Sequence, residues 1–157
     1  MAIDTKKVLG RRTVRFESLQ EVVQDAERLA AGEVRVLGNW SFGQILDHLA
    51  KGMGMTIDGF DFKAPWLIRI VARLLMKKRF LAKAMPAGFQ FRKGMQGLVP
   101  DEISVADGLE RLRRAVERLE TETHRALSPI FGKMTVEESN QLQLRHAELH
   151  LSFVLRA

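Results

Sequence analysis

The chain contains no cysteine. Disulfides and thiolate ligands are therefore excluded, and any bound metal must be held by nitrogen and oxygen donors. Long apolar runs are missing as well. The longest apolar-rich stretch, residues 64–76, is interrupted by Arg69 and Arg73 and falls short of the roughly 20 residues a membrane span needs. After Met1 come Ala-Ile-Asp-Thr-Lys-Lys, with no apolar run of the kind a secretory signal carries. These absences lead to the expectation of a cytoplasmic protein. No internal repeat or linker is visible, and the chain of 157 residues, 46% hydrophobic, suffices for a single domain, 1–157, that buries its own core.

Strand signals are nearly absent, whereas helix starts recur. Ser18-Leu19-Gln20-Glu21 reads as a capping box opening a helix that runs to Gly32. Ser41-Phe42-Gly43-Gln44 opens a second, expected to reach about Asp61. Pro65 suits the first turn of a third, with Trp66, Leu67, Ile70, Val71, Leu74 and Leu75 on its core face. Ser104 starts a fourth, whose buried side runs from Leu109 through Leu119 toward Leu127 until Pro129 and Gly132 break it. Thr135-Val136-Glu137-Glu138 starts the last. Thr13–Phe16 is the one short extended segment, without an evident partner. The pattern predicts an all-α fold, with 83–103 as a long irregular loop near a site.

Histidine is scarce, four in all, and three of the four form a ligand pattern. His146 and His150 lie one helical turn apart and share a face, and His48 sits on the second predicted helix. Leu142, Leu149, Phe153 and Val154 place an apolar stripe on the side of that pair, turning both rings inward. Two rings so spaced also suit side chains bonded to carbonyls, but a shared metal satisfies both at once. Three neutral imidazoles leave a coordination position open, the layout of a reactive metal. Glu148, two positions from each histidine, projects elsewhere and is a poor general base. Asp47 reads as a solvent-facing or supporting carboxylate, and Gln44 and Ser152 as groups able to orient imidazoles. His124 reads as a surface residue near a helix C-terminus. Trp40 and Trp66 suit packing over helix ends, and Met76, Met85 and Met95 an adaptable apolar lining.

Acidic residues are missing from Phe62 to Pro100, where Lys63, Arg69, Arg73, Lys77, Lys78, Arg79, Lys83, Arg92 and Lys93 accumulate. This segment outweighs the whole net charge of +6. Arg69, Arg73 and Lys77 recur every four residues, opposite the apolar positions of the third helix. Such a face can keep a bundle soluble, guide an anionic small molecule, lie on an anionic membrane surface or touch phosphates. No nucleic-acid motif accompanies it, and stacking aromatics such as Phe89 and Phe91 are few.

Residues 39–50, Asn-Trp-Ser-Phe-Gly-Gln-Ile-Leu-Asp-His-Leu-Ala, followed far downstream by His146-Ala-Glu-Leu-His150, resemble the DinB/YfiT-like superfamily. The likeness runs from Arg11 to Phe153 and is strongest to a bacterial branch labelled a domain of unknown function. It implies a down-up-up-down four-helix bundle, here with an additional short helix or long loop. It also implies a divalent metal, zinc, nickel or manganese, on His48, His146 and His150. Some relatives are transferases or isomerases that use a low-molecular-weight thiol. Two readings stay open: a metal-dependent thiol transferase or hydrolase acting on a small anionic substrate, or a noncatalytic helical bundle binding a partner or an anionic membrane surface through its basic third helix. A homodimer is compatible with either, and no catalytic residue is assigned.

Overall fold

The computed structural model describes residues 2–89, 91 and 94–157. It is mostly helical, with one small antiparallel sheet. In chain order come α1 (Leu19–Ala30), β1 (Val34–Val36), α2 (Phe42–Asp58), α3 (Trp66–Val71), a π-helical stretch (Ala72–Met76), α4 (Lys77–Ala82), α5 (Val105–Thr121), α6 (Val136–Leu151) and β2 (Val154–Arg156). Short 3₁₀ turns lie at Thr5–Lys7 and Gln96–Leu98. Arg92 and Lys93, part of the basic segment, lie outside the described residues.

Side-chain oxygens start the four long helices. Ser18, Ser41, Ser104 and Thr135 each accept the backbone N–H three residues on, and at Ser41 and Thr135 the partner Gln44 or Glu138 reaches back to the cap. Gln44 is thereby committed to capping and orients no imidazole. α2 stops at Asp58, short of Asp61, because Gly59 takes φ 109° and leaves the helical region. α5 stops at Thr121, short of Leu127: the Arg125 guanidinium caps the carbonyls of Leu119 and Glu122, and Leu127 is exposed.

α2 packs chiefly against α5, α1 against α5 and α6, and α2 also against α6. Their shared core centres on Val22, Leu46, Leu49, Met53, Leu112 and Leu119, all fully buried. α2 and the start of α5 meet backbone to backbone. A methyl on Gly43 would lie 2.2 Å from the Ile103 carbonyl oxygen, and one on Gly108 would lie 2.9 Å from that of Gly43. Only residues without a side chain allow this approach.

β1 and β2 pair with Val34 opposite Arg156 and Val36 opposite Val154, closing the chain end onto the α1–α2 connection. Thr13–Phe16 forms no strand. Instead its Phe16 peptide is gripped on both sides by α6: Glu148 accepts its N–H at 2.8 Å and buried Arg145 donates to its carbonyl at 2.7 Å.

The third predicted helix differs most from expectation. It is divided by the π-helical stretch, and its apolar residues face outward. Ala72 is buried, Phe80 packs on Phe131 with ring centroids 5.8 Å apart, and Lys77 pairs with Glu138 at 2.6 Å. These contacts turn Leu67, Ile70, Leu74 and Leu75 to the exterior, and Trp66 is exposed too. No helix among the described residues is long and apolar enough to cross a membrane.

Candidate metal centre

α2 and α6 cross so that His48 meets His146 and His150. One ring nitrogen from each lies within 4.8 Å of the others, and the Nε2 atoms of His48 and His146 are 3.1 Å apart. Ring centroids are separated by 4.5–4.9 Å, with planes steeply inclined to one another. His48 is buried, while His146 and His150 are half-buried. Of the stripe expected to carry the pair inward, Phe153 and Val154 are buried just beyond α6, but Leu142 and Leu149 are only half-buried, and the core face of α6 itself is Leu144, Ala147 and Leu151. The cluster therefore stands at the margin of the core.

Hydrogen bonding fixes the tautomer of His48. Its Nδ1 lies 2.7 Å from the carbonyl oxygen of Leu98, which can only accept, so Nδ1 carries the proton and Nε2 presents a lone pair. Burial lowers the pKa of all three histidines: His146 is pushed down to about 3 and His150 well below its ordinary value, both depressed further by neighbouring rings, while at His48 the Leu98 carbonyl and Asp47 pull the other way. Neutral imidazoles are what a cation requires of its ligands.

The neighbourhood supports these positions. Trp40 covers the cluster, its ring centroid 4.8 Å from His48 and 5.6 Å from His150, and Phe91 lies 5.7 Å from His48. Leu98 and Phe91 belong to the long loop, which thereby reaches the histidines. Three bonds from α2 hold it there: His48 to Leu98, Lys51 to the Val99 carbonyl at 2.9 Å, and Asp47 accepting the Asp101 N–H at 2.7 Å. Asp47 is not solvent-facing. It is fully buried and also binds Arg111 at 2.6 Å and Lys51 at 3.1 Å. Burial opposes its ionisation, but the Asp101 N–H, Arg111 and Lys51 together hold its carboxyl below the usual value.

Other candidates fall away from the cluster. Ser152 donates to the Leu149 carbonyl and accepts from Arg11. Glu148 grips Phe16 and Arg145, its pKa raised by burial against the pull of the Phe16 N–H and Arg15. His124 is exposed beyond the end of α5.

Gln143 escaped the sequence reading, although its spacing of three from His146 and seven from His150 places it on their face. Thr56 donates its hydroxyl to the Gly52 carbonyl and accepts from Gln143 Nε2 at 2.9 Å, so the amide oxygen must point the other way. That oxygen is buried without a hydrogen-bond partner. A methyl on Gly52 would lie 3.6 Å from His146 Nδ1 and 3.8 Å from Gln143 Oε1, so the two atoms face α2 at the same spot.

The donor set passes a simple test of fit. Two nitrogens 3.1 Å apart, each about 2.0–2.1 Å from one ion, subtend roughly 100° at it, between the octahedral and tetrahedral values. The three histidines can hold a metal ion. Residues 9–157 match a family model described as protein of unknown function, DUF1569. The chain belongs to the DUF1569 family. No curated protein and no solved structure matches it. The DUF1569 match carries no tie to the DinB/YfiT superfamily, and all three histidines lie inside its span.

Proposed function

We propose that this DUF1569 protein is a DinB-like, single-domain cytoplasmic bundle of four long helices that binds a divalent metal, zinc, nickel or manganese, on His48, His146 and His150. Its activity in this reading is a metal-dependent transfer to or from a low-molecular-weight thiol, or hydrolysis of a small anionic substrate. The convergence of three neutral imidazoles from two remote helices carries the proposal. Without a cation to share, clustering three desolvated rings with so few partners is unfavourable.

A divalent ion on three protein ligands supplies Lewis acidity at an open coordination position. The chain's own groups do the rest. The Leu98 carbonyl keeps His48 in the tautomer that offers Nε2. Trp40 and Phe91 wall the cluster with apolar surface and limit water near it. The net charge of +6 favours the approach of an anion.

Metal content of tagless protein tests the site. The parent is expected to retain a divalent metal near one equivalent, and His48→Ala, His146→Ala and His150→Ala each to lose it. Equal content in parent and variants would remove the metal centre from consideration. Turnover of a thiol and an electrophile, or of an ester, that chelation leaves unchanged would remove metal-dependent catalysis.

A further inference from the structure

The face turned outward by α3, the π-helical stretch and α4 serves neither core nor metal cluster. Trp66 is 70% exposed, Leu74 75% and Leu75 77%, with Leu67, Ile68 and Val71 beside them. Scattered exposed leucines are ordinary, but a continuous apolar face on one short segment is not. The segment is not free to roll over and bury that face. Lys77 is tied to Glu138, Phe80 rests on Phe131, and the Ala64 N–H donates to the Pro129 carbonyl at 2.8 Å.

Charge decides what covers it. Lys63, Arg73, Lys78, Arg79 and Lys83 are exposed around the apolar residues, and the sequence has no Asp or Glu from Phe62 to Pro100. A second copy of the chain seated symmetrically on this face would bring these cations against their own equivalents with no acid of the segment to offset them. Nucleic acid would answer the cations but leave the leucines against water, with Trp66 alone to stack. An anionic bilayer answers both. Its acyl region takes the leucines, its headgroups take the cations, and an indole suits the boundary between them.

We propose that the α3–α4 segment docks the protein on an anionic lipid bilayer, apolar face inserted and Lys63, Arg73, Lys78, Arg79 and Lys83 at the headgroups. This does not depend on the metal site. Trp40, Phe91 and Leu98 stand at the histidines, and none of them belongs to the docking face.

Co-sedimentation of the full chain with vesicles tests it, using phosphatidylcholine alone and phosphatidylcholine mixed with phosphatidylglycerol. Binding is expected to the mixed vesicles at low salt, weakening as salt rises, with a blue shift of emission that Trp66→Phe removes. Leu74→Asp/Leu75→Asp should weaken binding at least about tenfold. Both positions face solvent, so the helical circular dichroism should be unchanged. Arg73→Gln/Lys78→Gln/Arg79→Gln should weaken it without altering the apolar face. Failure to sediment with the mixed vesicles at low salt overturns the proposal, as does undiminished binding by the aspartate variant. A dimer that Leu74→Asp/Leu75→Asp dissolves would assign the face to a second copy instead.

Discussion

His48 donates its Nδ1–H to the main-chain carbonyl of Leu98 at 2.7 Å, so a ring on α2 is aimed by a loop fifty residues further along the chain. The loop is in turn held by the buried carboxylate of Asp47, one position before the ring it aims. Asp47→Asn keeps the shape but discards the charge that Arg111 and Lys51 answer. The expected result is a loss of about 2 kcal/mol of stability, from weakened hydrogen bonds to charged groups. Weaker zinc binding should accompany it as Leu98 loosens. Urea unfolding and zinc titration of the same sample check both, and an unchanged affinity would detach the loop from the site.

Arg145 and Glu148 form a second buried pair, at 3.1 Å, on the face of α6 turned away from the histidines. Cutting one member strands the other in the core, whereas removing both leaves mainly the Phe16 peptide unanswered. Glu148→Leu alone is expected to cost about 3 kcal/mol. The double variant Arg145→Met/Glu148→Leu should lose clearly less than the two single losses combined. A double-mutant cycle by chemical denaturation reads the coupling, and strict additivity would show that the two side chains act separately.

Much of this was legible in the sequence because it is written locally. The caps at Ser18, Ser41, Ser104 and Thr135 lie within four residues of the groups they satisfy, and the His146–His150 spacing forces a shared face. The strands were not legible: three residues give no period, and Val34 finds Arg156 only through the tertiary fold. The third helix was assigned the wrong face because amphipathicity says which residues segregate, not which side meets the protein. There the decision lies with distant partners, Glu138 and Phe131. Leu98 left no trace either, since any residue offers a carbonyl.

The Lys77–Glu138 contact that sets this orientation makes a prediction about pH. The Lys77 hydrogen bond, with help from the Thr135 N–H, holds Glu138 below its ordinary 4.5. An acid with a depressed folded pKa adds stability above its unfolded value, and loses that increment as pH falls through the folded one. Lys77→Met should therefore be less stable than the parent at neutral pH, and the gap should close as pH falls below 4.5 and through the depressed pKa of folded Glu138. Unfolding curves recorded across that interval report it. A gap independent of pH would mean that Lys77 contributes through its aliphatic stem alone.

Gln143 gives the most discriminating test of the site itself. Its amide is oriented by Thr56, which leaves a buried, unpartnered oxygen facing the same spot on α2 as His146 Nδ1. When His146 offers Nε2 to a cation its proton must reside on Nδ1, and a nearby acceptor then favours that tautomer. Gln143→Leu is expected to weaken metal affinity by about tenfold or more, the usual range for losing such a partner. A leucine also forfeits the bond to Thr56, so lost stability by itself would be uninformative. Gln143→Glu separates the two effects, because a carboxylate accepts more strongly from Nδ1–H and raises the basicity of the ring. Its affinity should equal or exceed the parent's, even if the fold is somewhat less stable. Titration of metal-free protein with zinc, alongside urea unfolding of each variant, distinguishes the cases. Parent-like affinity in Gln143→Leu would leave the unpartnered oxygen without a role at the metal.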